Sequence, residues 1–168
     1  MAEPPAPALP ISALLDPGGA RPLPGAVLFC CDHNTVRSPM AEGIMKALHG
    51  RQVFVQSAGV FHELEVDGFM VAVAAEIGID ISRHRVRSFD DMENWGDDIH
   101  AYDRIIALSP GAQRRALEST ADYHVEVSYW PTLDPTGLGE RREERLAAYR
   151  KTRDQLLARI RQEFPPRE

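Results

Sequence analysis

Ala26-Val27-Leu28-Phe29-Cys30-Cys31-Asp32-His33-Asn34-Thr35-Val36-Arg37-Ser38-Pro39-Met40 carries the information that decides the fold. It begins with a continuous apolar run from Ala26 to Cys30, the pattern of a strand buried on both faces of a parallel sheet. Ser38-Pro39 puts proline into the first turn of a helix, where its missing N–H costs no hydrogen bond. Met40, Ile44, Met45 and Leu48 follow at helical spacing up to Gly50. Strand, short loop and helix therefore succeed one another directly, and the loop reads Cys-x5-Arg-Ser from Cys31 to Ser38.

A loop between the carboxyl end of a strand and the first turn of a helix turns successive backbone N–H groups inward, and the helix N-terminus adds partial positive charge. Asp32, His33, Asn34, Thr35, Val36, Arg37 and Ser38 are thus expected to form a phosphate-binding loop, with Arg37 adding a bidentate grip on a tetrahedral oxyanion. The same field stabilises a thiolate on Cys31 and keeps it nucleophilic, and Ser38 is placed to donate a hydrogen bond to it. Arginine six residues after cysteine is a weak pattern alone. The apolar strand before it and the proline-started helix after it give it weight.

Working outward, residues 52–56 read as a second strand, and Val66, Met70, Val73, Ala74 and Ile77 make one helical stripe closed by Gly78. Ser88 with Asp91 three residues on marks another helix start, and 104–108 and 125–127 read as further strands. From about 140 to 164, Leu146, Tyr149, Arg153, Leu156, Leu157 and Ile160 keep a 3.6-residue period. Strands alternating with helices predict an α/β fold, a parallel sheet covered on both sides. Residues 1–25 are rich in proline and glycine around a short apolar patch, and are expected to be a mobile tail preceding a single catalytic domain over 26–168.

Length and composition fit one domain: 168 residues, 43% of them hydrophobic. A net charge of −6 supplies no basic field for nucleic acid, and no apolar run approaches a membrane span, so a cytoplasmic protein with neither partner is expected. The cysteines number two, Cys30 and Cys31, adjacent and unable to staple distant segments. The sequence leaves the oligomeric state open.

The stretch from Val27 through Cys31 to Arg37-Ser38-Pro39-Met40-Ala41-Glu42 resembles the signature of the low-molecular-weight protein tyrosine phosphatase family. Ser57-Ala58-Gly59, then Gly78-Ile79-Asp80-Ile81-Ser82 with His84 and Arg87, then Asp134-Pro135 recur in the family's order, so the resemblance covers about 26–164. It implies a three-layer, four-stranded parallel sheet flanked by helices, no metal and no cofactor, and hydrolysis of phosphate monoesters, including protein phosphotyrosine, through a phosphocysteine. In that scheme Cys31 attacks phosphorus, Arg37 and the loop hold the phosphoryl oxygens, and Asp134 is the general acid and then the base. Asn34, Ser38, Ser57 and His84 match positions that hold the loop in shape. The partner implied is a phosphorylated protein or a small phosphate monoester.

Several positions depart from the family pattern. His33 stands where glycine is usual, and Val36 replaces a cysteine that many members carry. Thr136 and Gly137 stand where tyrosine-specific members present aromatic residues, while Phe61 is either an aromatic wall of the site or a packed core residue. The His33-Asn34 pair and the stretch from Trp130 through Arg153-Asp154 also resemble arsenate reductases of this fold. That leaves reduction with a small external thiol as an alternative activity. A non-catalytic anion-binding regulatory module is the alternative of another class; retention of nucleophile, arginine and acid together argues against it.

Overall fold

The computed structural model describes residues 22–63 and 65–166, so the tail expected over 1–25 lies for the most part outside the described residues. Four strands, β1 (Ala26–Cys31), β2 (Phe54–Gly59), β3 (Arg104–Ala107) and β4 (Glu126–Tyr129), form one all-parallel sheet in the order β2-β1-β3-β4. Between and after them run α1 (Arg37–His49), α2 (Gly68–Glu76), α3 (Phe89–Asn94), a 3-10 turn (Ile99–Ala101), α4 (Pro110–Ser119) and α5 (Arg142–Glu163).

Strand alternation sorts the core into two layers. Val27, Phe29 and Cys31 face α1, α2 and α5, meeting Ile44, Met45, Met70, Val73, Tyr149, Leu156 and Ile160. Leu28 and Cys30 face the other way, onto Phe89, Met92, Tyr102, Ala112 and Ala116. With helices on both faces, β1 must be apolar throughout, and Val27, Leu28, Phe29 and Cys30 are all fully buried. Each large apolar side chain so buried contributes about 1.5–3 kcal/mol relative to water, which makes the end of β1 a rigid base for the loop that follows. The predicted three-layer α/β architecture is the one observed.

Two elements differ most from the sequence expectation, and β4 runs over Glu126–Tyr129 rather than 125–127. β2 runs from Phe54 to Gly59 rather than over 52–56. Phe54 begins it at the sheet edge, 58% exposed, and the strand continues through Gln56-Ser57-Ala58-Gly59, pairing Ser57 with Phe29 and Gly59 with Cys31. Small and polar residues at that end carry no apolar pattern to read. α4 was not anticipated, although Ser109 caps it through Ala112 N and Pro110 is its first residue. The expected start at Ser88 is a complete capping box with Asp91.

After β1 the chain crosses to β2 on one side of it and later to β3 on the other. In such sheets the crevice at the carboxyl ends of the strands, where the order reverses, is the place for a ligand. The loop after β1, Leu108-Ser109 after β3 and the segment after β4 all converge there.

Candidate active site

Cys31 ends β1 with 2% of its surface exposed, and the chain turns at once into the loop. Its Sγ accepts hydrogen bonds from the backbone N–H groups of Asn34 at 3.3 Å and Ser38 at 3.4 Å, and lies 2.9 Å from Ser38 Oγ. Val36 opens α1 without a side-chain cap, so no cap side chain stands between the first turn and an anion, and the Ser38 N–H already points at the Cys31 sulfur.

Asn34 is the hub of the loop. It is fully buried with φ +58, a left-handed conformation that asparagine tolerates better than most residues. The backbone N–H of Arg87 donates to it at 2.9 Å, which identifies the accepting atom as Oδ1 and fixes the amide's orientation. Nδ2 therefore donates to Ser38 Oγ at 2.8 Å and Ser57 Oγ at 2.9 Å. Ser38, having accepted from Asn34, keeps its own hydrogen for the Cys31 sulfur, and Ser57 gives its hydrogen to Glu42 Oε1. His84 Nε2 is 3.0 Å from the acceptor Asn34 Oδ1 and so carries the proton. Burial, opposed by the nearby Glu42 carboxylate, leaves the His84 pKa below its ordinary value, consistent with a neutral ring.

The loop is also pressed from below. A Cβ on Gly59 would lie 2.8 Å from His33 C and Asn34 N, so only glycine lets β2 pass under the loop backbone. Val60 N and Phe61 N donate to the carbonyls of Cys31 and Asp32, and Asp67 N donates to Thr35 O. Since the positive φ falls on Asn34, His33 occupies the usual glycine position without needing that freedom. Its ring turns outward, 2.7 Å from Glu63 Oε2 and 5.3 Å between centroids from Phe61. Phe61 is 55% exposed, which removes the packed-core reading.

Arg37 is buried and crosses toward the other loops. Nη1 donates to Thr132 O at 3.2 Å and Leu108 O at 3.4 Å, while Nη2 lies 3.4 Å from Asp32 Oδ2 and 3.8 Å from Asp134 Oδ2. Asp134 is thus carried over the loop by the segment after β4. Trp130 anchors that segment, buried between Phe29 and Phe164. Partial burial raises the Asp134 pKa, but hydrogen bonds from Thr136 and the charges of Arg37 and His33 outweigh it, and the net shift is downward. Among the described residues no group of three or more His, Cys, Asp or Glu side chains is placed to hold a metal.

The structure gathers the expected site residues at the mouth of β1: Cys31, the loop from Asp32 to Ser38, Asp134 around Arg37, and Ser57 and His84 around Asn34. Sequence reasoning quoted Glu42, Gly59 and Arg87 within the family motifs without giving them a role, and missed Ser109. The Arg87 backbone orients Asn34 while its Nε donates to Ser57 O and its guanidinium is pinned by Asp97 at 2.6 Å. Ser109-Pro110 was the one available local signal. Cys30 lies on the opposite face of the sheet from Cys31, its thiol against Ile106 O, and burial followed by the Cys31 charge raises its pKa well above the ordinary value.

The family model for low molecular weight phosphotyrosine protein phosphatase matches residues 26–164. The chain is 32% identical over 145 residues to a protein-arginine-phosphatase of Bacillus subtilis, covering 81% of this chain and 92% of that one. It is also 32% identical over 135 residues to an arsenate reductase of Bacillus licheniformis, covering 80% and 91%. The crystal structure of a low molecular weight protein tyrosine phosphatase from T. tengcongensis superposes with a TM-score of 0.64 at 32% identity, covering 82% of this chain and 95% of that one. The chain therefore belongs to the low molecular weight phosphotyrosine protein phosphatase family, as an enzyme of a fold shared by phosphatases and arsenate reductases.

Proposed function

We propose that this protein is a cysteine-dependent phosphatase that hydrolyses phosphorylated proteins or small phosphate monoesters through a phosphocysteine. The observation that carries the reading is the setting of Cys31 Sγ, which accepts two backbone N–H groups and faces the Ser38 hydroxyl, with Arg37 closing the same loop. These donors hold the Cys31 sulfur in place and point at the space where phosphoryl oxygens would gather. Cys31 attacks phosphorus in line with the leaving atom, and Arg37 with the loop amides stabilises the charge spread over the equatorial oxygens.

Asp134 supplies the leaving group's proton. Its lowered pKa leaves it ionised in the free protein, so the proton enters with the substrate: a phosphate beside Asp134 adds negative charge and raises the carboxyl's proton affinity. In the second step the same carboxylate takes a proton from the water that attacks the phosphocysteine. Among the described residues no helix is long and apolar enough to cross a membrane. A free cysteine nucleophile fits a reducing, cytoplasmic setting.

Arsenate would enter the same loop as a phosphate mimic. Reduction through an internal disulfide relay is disfavoured, because Cys30 faces the other side of the sheet and the sequence holds no third cysteine. The test gives the purified protein an aryl phosphate and, separately, arsenate with glutathione or mycothiol. Phosphate release that Cys31→Ser abolishes supports the phosphatase. Arsenate reduction with negligible phosphate release overturns it in favour of a reductase, and turnover of neither by folded protein overturns it in favour of a binding module.

A further inference from the structure

Tyr149 is buried on α5, and none of the steps above uses its hydroxyl. That hydroxyl donates to Asp67 Oδ2 at 2.9 Å, while the ring packs on Phe69 with 5.4 Å between centroids. Asp67 is held by three further hydrogen bonds. Its Oδ1 caps α2, accepting from Phe69 N at 2.7 Å and Met70 N at 3.3 Å, and its own backbone N–H donates to Thr35 O of the phosphate loop at 3.0 Å. A phenol on the last helix therefore finds its partner in a residue that braces the phosphate loop, 82 positions earlier in the chain.

The same phenol lies beside the acid loop. Thr152, three residues on and on the same face of α5, donates to Leu133 O at 3.0 Å, which lays the start of the Asp134 segment over this turn of the helix. Thr136 N donates to Asp134 Oδ1 at 3.0 Å, and the Thr136 hydroxyl stands within reach of both the Asp134 carboxylate and the Tyr149 oxygen. Burial first, then the bond to Asp67 and its charge, push the Tyr149 pKa above the ordinary value, so the phenol keeps its hydrogen for Asp67. Its oxygen can still accept. Thr136 has one hydroxyl hydrogen to give: an ionised Asp134 takes it, and when Asp134 is protonated the Tyr149 oxygen is the acceptor that remains.

We propose that Tyr149 is a positioning residue whose hydroxyl, fixed by Asp67, orients Thr136 and through it the Asp134 carboxyl that protonates the leaving group. The inference rests on the phosphatase reading above and adds to it a link between the two halves of the site, running from Thr35 through Asp67, Tyr149 and Thr136 to Asp134. Attack by Cys31 and protonation of the leaving atom take place on opposite sides of one phosphorus, so the acid works only at the right distance from the phosphate loop. An anchor at Asp67, shared by both loops, sets that distance. Because the link reaches the acid loop through a single hydroxyl on the exposed Thr136, it turns the carboxyl without immobilising the loop backbone.

The experiment is a double-mutant cycle. It measures kcat on phenyl phosphate and on 4-nitrophenyl phosphate for the wild type, Tyr149→Phe, Asp134→Ala and the two combined. Tyr149→Phe deletes the hydroxyl and keeps the ring on Phe69. The expected result is a fall of about ten-fold on phenyl phosphate and less than about two-fold on 4-nitrophenyl phosphate, with no further loss when the substitution is added to Asp134→Ala. An equal loss on both substrates, or a loss that persists in the Asp134→Ala background, overturns the proposal, because either would place the hydroxyl's role in the phosphate loop or in packing; so does Tyr149→Phe with wild-type kcat on both. Thr136→Val, at an exposed position where folding is not at stake, should reproduce the leaving-group-dependent loss and add nothing to Tyr149→Phe. Losses from these two that multiply overturn the link through Thr136. Hydrolysis of neither ester by folded wild-type protein overturns the phosphatase reading itself.

Discussion

The phosphate loop and the segment that carries Asp134 face each other across one crevice and are built in opposite ways. Asn34 and Ser38 are fully buried and Cys31 nearly so, and four hydrogen bonds converge on the Asn34 amide from β2, α1 and the 84–87 segment. The Asp134 side chain is 51% exposed. Its loop is tied to α5 by Gln155, which reaches Leu133 N and Pro131 O, and by the Thr152 hydroxyl on Leu133 O. Charge that develops on the phosphoryl oxygens is the same for every substrate, so the groups that meet it gain from being fixed in advance. Leaving groups differ in size and proton affinity, and a donor on a lightly held loop can adjust to each.

The most severe way to break the nucleophilic side is Cys31→Ser. Hydrolysis of an aryl phosphate should fall by at least about 10⁴-fold, since an alcohol lacks the thiolate's reactivity, while inorganic phosphate still binds the intact loop. Full turnover in that variant would remove Cys31 from the chemistry. On the opposite side, Asp134→Ala should lower kcat by about 10²–10³-fold. The wild type's kcat/KM should decline as pH rises across roughly 5 to 8, because the carboxyl's lowered pKa makes substrate binding take up a proton. In Asp134→Ala that slope should flatten; an unchanged slope would assign the proton to another group.

Asn34→Ala tests whether the fixed side is fixed by the network itself. It strips partners from Ser57, His84 and the Arg87 N–H in a buried setting, and should cost about 2–4 kcal/mol of stability in urea unfolding. It should also lower kcat/KM by about 10- to 100-fold in protein that is still folded, because the left-handed turn loses the amide that anchors it. Stability lost with kcat/KM unchanged would show that the loop keeps its shape without the network.

What the sequence made legible follows the same division. β1, the loop and α1 are contiguous, and their apolar run, Cys-x5-Arg spacing and Ser-Pro start are local signals. The end of β2 was not legible from periodicity, because Ser57 is chosen to accept from Asn34 and Gly59 to clear the loop backbone rather than to make a strand. The part of Arg87 in orienting Asn34, 53 residues away, and the Ser109 bond to Asp32, 77 residues away, depend on how distant strand ends converge. Asp134 came only with the family resemblance, since an aspartate before proline is an ordinary turn residue by itself. Its approach to Arg37 is set by Trp130 in the core and by the Gln155 and Thr152 contacts with α5, none of which leaves a mark near Asp134 in the sequence.

Gln155→Ala should have the smallest effect and sharpens the contrast most finely. Its two bonds to the acid loop are solvent-exposed, so their loss should cost at most about 1 kcal/mol of stability. Catalysis should respond according to how much the leaving group needs its proton. With phenyl phosphate, whose phenolate is a poor leaving group, a loosened Asp134 should lower kcat by about three- to ten-fold; with 4-nitrophenyl phosphate, whose anion departs unaided, kcat should change less than about two-fold. The ratio of the two effects measures positioning of the acid apart from any general damage. An equal loss on both substrates would mean that Gln155 supports the crevice as a whole, and that the acid loop is no more adjustable than the loop it faces.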